Sequence, residues 1–294
     1  MKRTLYRVLS FCLLGTLAVS CAKDETVKPG PQAVEQSADA TATRDSHLAL
    51  GNPSGATTDA ANYTNYLLSK TQYAASYHRD RGIPNWVSWH LSSAWLGTTP
   101  RQDNFASDAT LPTGWFRATS SSYTGSGFDR GHNCPSADRT GSVADNSATF
   151  LMTNMMPQAA NNNQRTWAGL ENYCRTLVDA GNELYIICGS YGTGGTGLNG
   201  YTTTIASGKI TVPANCWKVI VVLPNGTGDA ARVTTATRVI AINTPNTQTV
   251  NTDWSTYRTT VDAIEQATGY NLLSAVSSTV QSTIEARVDN GPTN

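Results

Sequence analysis

Apolar and polar positions along this 294-residue chain follow more than one period, and each period predicts an element. Ala60–Tyr77 has the spacing of a helix, with Tyr63, Tyr66, Leu67, Tyr73 and Tyr77 as its larger apolar groups. Trp86-Val87-Ser88-Trp89-His90-Leu91 alternates and is rich in aromatic and β-branched residues, which predicts a strand. Phe150-Leu151-Met152 is a short apolar run. Asn163–Ala180 predicts a helix: Trp167, Leu170, Cys174, Leu177 and Val178 recur at three- and four-residue spacing, and Gly181 is a stop. Leu184–Cys188, Trp217–Leu223 and Arg238–Ile242 predict strands, the second closed by a turn at Pro224-Asn225-Gly226. Thr256–Thr268, ended by Gly269, and Leu272–Arg287 predict helices. Strands and helices in blocks imply an α+β fold with a mostly antiparallel central sheet flanked by helices.

The first residues follow a different logic. Lys2, Arg3 and Arg7 precede a mostly apolar run, Val8 to Ser20, that is too short to span a bilayer. Residues 1–20 therefore read as a signal peptide. Leu17-Ala18-Val19-Ser20-Cys21 resembles a bacterial lipobox, which makes Cys21 the expected lipidation site. Membrane contact would then run through that lipid only. Ala22-Lys23-Asp24-Glu25 resembles a tag for the outer cell surface. The expected location is thus an outer membrane, facing outward; an ordinary cleaved signal, with a secreted or periplasmic product, is the alternative. Residues 22–61 contain no aromatic residue. A flexible linker is expected over 21–59, with one domain over 60–294.

Composition narrows the function. Charged residues make up only 14%, with 15 Arg against 6 Lys. Without residues 1–20 the chain has 18 basic and 21 acidic residues, a net charge of −3. That excludes a generally basic coat for nucleic acid. Polyanion binding would have to come from a local arginine cluster, which suits bidentate phosphate contacts. Gly192–Gly197 invites a phosphate-loop reading, but no Lys-Ser/Thr follows, so it reads as a loop.

Asp129-Arg130-Gly131-His132 places a base beside a cation after a Gly/Ser-rich stretch. On a helix starting near Asn163, Glu171 lies two turns further along and Arg175 one turn beyond that. Taken alone, the helix segment reads as a capping Asn and a solvated Glu–Arg pair. Taken together, Asp129–His132, then Asn154 with Pro157-Gln158, then Asn163 with Trp167 and Leu170-Glu171 resemble the DNA/RNA non-specific endonuclease family, the DRGH nucleases with a ββα-metal (His-Me finger) site. Trp86–Leu91 with Arg101 and Phe105 fits that pattern upstream. Val212-Pro213, Trp217-Lys218-Val219, Pro245-Asn246 and Ile264-Glu265 fit it downstream.

The resemblance implies a metal-dependent enzyme that hydrolyses phosphodiester bonds of DNA and RNA. It makes His132 the general base and Asn163 the direct ligand of Mg²⁺, with Mn²⁺ or another divalent cation as alternatives. Glu171 would order the metal's waters. Arg101, Arg130 and Arg175 would grip phosphate, Asn154 would orient the site, and Asp129 would be structural. The competing readings are a non-enzymatic surface-binding lipoprotein and a phosphodiesterase on small substrates. No obligate protein partner is evident. Four cysteines remain once Cys12 and Cys21 are assigned; in an oxidising compartment they could pair as Cys134–Cys174 and Cys188–Cys216, with free thiols as the alternative.

Overall fold

The computed structural model describes residues 41–294. The expected signal peptide, Cys21 and most of the expected linker lie outside the described residues. The largest sheet has six strands: β1 (Tyr66–Ser69), β2 (Ala74–His78), β3 (Ile83–Leu91), β6 (Asn182–Tyr191), β11 (Asn215–Pro224) and β12 (Arg238–Pro245), in that spatial order. Every neighbouring pair is antiparallel. Beside it β4 (Asp129–His132) pairs with β5 (Met155–Gln158). Two small hairpins, β7 (Gly195–Gly197) with β8 (Gly200–Thr202) and β9 (Thr204–Ile205) with β10 (Ile210–Thr211), follow β6. The helices are α1 (Val143–Ala148), α2 (Ala168–Asp179), α3 (Asp229–Arg232), α4 (Val261–Thr268) and α5 (Ser278–Ile284).

The strand period of two explains the layers. On one sheet face Val87, Trp89, Ile186, Ile220 and Ile240 meet Leu170 and Cys174 of α2. On the other face Trp86, Tyr185, Val219 and Ala241 meet Val261 and Ile264 of α4, Leu272, and Ile284 of α5. Strand β3 is buried along its whole length, which is why its sequence alternates in size more than in polarity.

Several expectations need correction. Thr256–Thr268 is an α-helix only from Val261, after a 3₁₀ turn at Trp254–Tyr257. Ala60–Tyr77 is not a helix but contains the β1–β2 hairpin, with Tyr66 opposite Tyr77 and Ser69 opposite Ala74. Ser69–Gln72 cannot continue an apolar stripe, and the tyrosines gain more by pairing at the sheet than along a helix. Leu272–Arg287 is helical only over α5; Leu272, Leu273 and Val276 are buried ahead of it as a non-helical segment. The linker does not extend to residue 59. Leu50 and Ala56 are buried in the core, Leu67 N donates to Thr57 O at 2.8 Å, and Trp86 Nε1 donates to Ser54 Oγ at 2.7 Å. An aromatic-free segment can dock where a neighbouring sheet supplies the large groups.

The four cysteines are buried free thiols, so neither expected disulfide is present. Cys188 stands opposite Lys218 and Cys216 opposite Ser190. That diagonal places the two Cα atoms roughly 7–8 Å apart, beyond the usual disulfide span. Cys188 Sγ instead donates to Asn133 Oδ1 at 3.3 Å. Burial pushes the Cys134, Cys174 and Cys216 thiols up to about 12, so they are protonated and unreactive.

Leu50→Ala should lower unfolding free energy by about 2–4 kcal/mol, as for a large side chain removed from a core. Urea titration of the purified protein checks this; an unchanged midpoint would return residues 41–59 to a free linker.

Candidate active site

The β4–β5 ladder builds the site. Arg130 stands opposite Pro157, Gly131 opposite Met156 and His132 opposite Met155. Glycine is needed at 131 because an added Cβ would lie 2.7 Å from Gln158 Cβ. Directly after the strand, Asn154 pins the chain. Its Oδ1 accepts from Cys134 N at 3.0 Å, its Nδ2 donates to Cys134 O and Thr149 O at 2.8 Å, and its backbone O accepts from Asn133 N at 3.0 Å. With no exposed surface, Asn154 is a positioning residue rather than a catalytic one.

His132 is 9% exposed. Its ring lies 5.0 Å from that of Phe150 and 5.7 Å from that of Phe105. The Arg130 guanidinium stacks on Phe105 at 4.0 Å, and that of Arg101 on Phe150 at 4.8 Å. Burial, then the charges of Arg101 and Arg130, push the imidazole from 6.5 down to about 3, against a raising hydrogen bond to the Arg130 backbone. The ring is therefore neutral, and its Nε2 is buried without a hydrogen-bond partner.

A cleft of about 320 Å³ opens beside it, lined in part by Arg101, Asp129, Arg130, Asn163 and Gln164. Asn163 and Gln164 reach it from a π-helical turn, Asn162–Trp167, that leads into α2. Asn163 Nδ2 and Gln164 Nε2 both donate to Asp129 Oδ2 at 2.8 Å. An ionised carboxylate only accepts, so Asp129 fixes the Asn163 amide nitrogen toward itself. Asn163 Oδ1 makes no hydrogen bond among the described residues. Arg101 pairs with Asp103 at 2.7 Å and donates to Ser136 Oγ at 2.9 Å.

Glu171 and Arg175 do not line this cleft. They belong to an adjoining ionic group. Lys218 Nζ lies 3.4 Å from Glu171 Oε1, Arg175 pairs with Asp138 at 2.8 Å, and Trp89 Nε1 donates to Asp138 Oδ2 at 3.0 Å. Lys218 is buried with its ammonium 4.2 Å from the Trp167 ring centre. Burial opposes its charge, but Glu171 holds the ammonium above its ordinary range. Sequence reasoning passed over Lys218, Asp138 and Phe150 as site neighbours. One signal was available: Lys218 is the lone charge in an otherwise apolar strand.

The chain also resembles known proteins. Residues 51–279 match the family model described as DNA/RNA non-specific endonuclease. A protein named "Nuclease" from Nostoc sp. is 53% identical over 83% of this chain and 86% of its own length. "Nuclease EXOG, mitochondrial" from Danio rerio is 32% identical over 58% of this chain and 49% of its own. Among solved structures, a chain from the EndoG/EndoGI complex superposes with a TM-score of 0.63 at 21% identity, covering 79% of this chain and 91% of that one. At that identity the likeness concerns the fold, which is the α+β ββα-metal nuclease fold.

The depressed His132 pKa has a measurable consequence. The folded value lies below the unfolded 6.5, so its contribution to stability is full above pH 6.5 and is lost as pH falls toward 3. The unfolded chain takes the proton first, which removes about 2 kcal/mol by pH 5. NMR of the imidazole should show His132 neutral from pH 8 to pH 5; a midpoint near 6.5 would contradict the burial.

Proposed function

This chain belongs to the DNA/RNA non-specific endonuclease family, and from that membership we propose how its cleft divides the work. The protein is a nuclease, a phosphodiester hydrolase with nucleic acids as substrates. In our reading His132 is the general base. The observation that carries it is the unpartnered Nε2 on a ring kept neutral by its surroundings. A neutral Nε2 takes a proton from water as the oxygen attacks phosphorus. Arg130, stacked on the ring beside His132, and Arg101 bind the anionic phosphate and bring it to that base.

The residues present fit a hard divalent cation. Asn163 offers Oδ1 to the cleft, its amide oriented by Asp129, and oxygen donors suit Mg²⁺ or Mn²⁺. Bound there, such an ion would neutralise phosphate charge and stabilise the leaving oxygen. Asn154 holds the turn after His132. Glu171 and Arg175 act from behind the cleft, where Lys218 and Asp138 fix their side chains.

The test is cleavage of plasmid and of RNA against Mg²⁺ concentration, with bis(p-nitrophenyl) phosphate alongside to register activity on small phosphodiesters. His132→Ala should stay folded and slow cleavage about 10²–10⁴-fold at every metal concentration. Asn163→Ala should instead raise the Mg²⁺ needed and recover in part as metal is added. Near-wild-type cleavage by folded His132→Ala would overturn the base assignment, and cleavage surviving a chelator would overturn the metal.

We also propose that Cys21 carries lipid and tethers the enzyme to an outer membrane, facing outward. The support is the charged start, the short apolar run and Ala18-Val19-Ser20-Cys21. Cys21→Ser should release the protein from membrane fractions; continued fractionation with membrane, with no lipid found by mass spectrometry, would end this proposal.

A further inference from the structure

One carboxylate in the structure breaks a rule that the others obey. Asp108, Asp138, Asp145, Glu183, Asp229 and Asp289 are buried, and each pairs with a lysine or arginine. Glu285 is also buried, at 5% exposure, and has no basic partner among the described residues. Its Oε1 is enclosed and makes no hydrogen bond. An unpaired buried carboxylate is costly, and burial beside other acids makes it more so.

The groups that face Glu285 are themselves acids. Asp262 and Glu265, one turn apart on α4, each place a carboxylate oxygen within 4.8 Å of one from Glu285. The backbone brings them together: Asp262 N donates to Glu285 O at 3.1 Å. Glu265 Oε1 is held by Leu272 N at 2.7 Å. Burial, then Glu265 and Asp262, push the Glu285 carboxyl up to about 7. Three carboxylates converge here, and no ion pair to any of them exists among the described residues.

We propose that Asp262, Glu265 and Glu285 bind a divalent cation of calcium's size. Three carboxylates suit the flexible oxygen shell of Ca²⁺, whereas Mg²⁺ keeps several waters and is bound through one or two carboxylates. The three oxygens lie within 4.8 Å of one another, close enough for one ion to draw them in. The ion supplies the positive charge that every other buried carboxylate takes from a side chain. Glu285 follows directly on α5, so the ion ties that helix to α4. Both helices pack on the sheet face opposite α2, away from the cleft. The site is therefore structural, and it stands or falls independently of the catalytic reading.

The test is thermal unfolding and calorimetric titration of the full chain with Ca²⁺, in saturating Mg²⁺ so that the cleft is not the site observed. Wild type should gain roughly 5–10 °C at a Ca²⁺ concentration about 100-fold above its Kd. Glu285→Gln should lose that gain and the calorimetric heat, while plasmid cleavage in Mg²⁺ stays within about twofold of wild type. Asp262→Asn, at an exposed position, gives the same loss without touching the core. A wild type indifferent to Ca²⁺, or a gain kept in both variants, would overturn the proposal; the acids would then share a proton instead.

Discussion

A histidine packed against two phenylalanines and flanked by two arginines cannot take a proton without losing stability. The Phe105 and Phe150 rings bury much of His132, and Arg101 and Arg130 set a positive field around it. Much of the neighbouring structure serves that arrangement. The β4–β5 ladder sets the height of the ring, Gly131 lets the two strands close, and Asn154 locks the turn that follows. The arginines that suppress protonation are also the groups that face the cleft, so the same charges draw an anion and keep the base free.

The second demand is to hold α2 against the sheet without filling the cleft. A buried lysine does part of this. Lys218 rises from the centre of β11 beneath the indole of Trp167 and meets Glu171. Asp138 plays the matching role for Arg175, with Trp89 as its further donor. These ionic contacts are mostly buried and continuous with apolar packing, so α2 has one well-defined seat. The free thiols around them remain protonated for the same reason of burial.

The two sheet faces divide the molecule. One carries α2, the ionic group and the His132 hairpin. The other carries the N-terminal segment with Leu50, then α4 and α5. Strands buried on both sides, such as β3, are what make such a division stable.

The central strands, the α2 helix and the family are legible in the order of residues alone. Their signals are local: alternation, helical spacing, a Gly stop, and motifs in fixed order. That order also carried the residues now found around one cleft, because Asp129–His132 and Asn163 are short, rigid pieces of a motif. Other features were decided only by tertiary structure. The tyrosines of Ala60–Tyr77 fit helical spacing as well as they fit a hairpin, and only an available sheet edge selects the hairpin. An aromatic-poor stretch reads as linker until Trp86 and the core offer Ser54 and Leu50 a place to dock. Cysteine pairing depends on strand register, which leaves Cys188 and Cys216 on a diagonal. The convergence of Asp262, Glu265 and Glu285 likewise depends on two segments meeting in space. Spacing along a chain fixes which residues share a face, but the partners of a face are chosen by packing between distant segments.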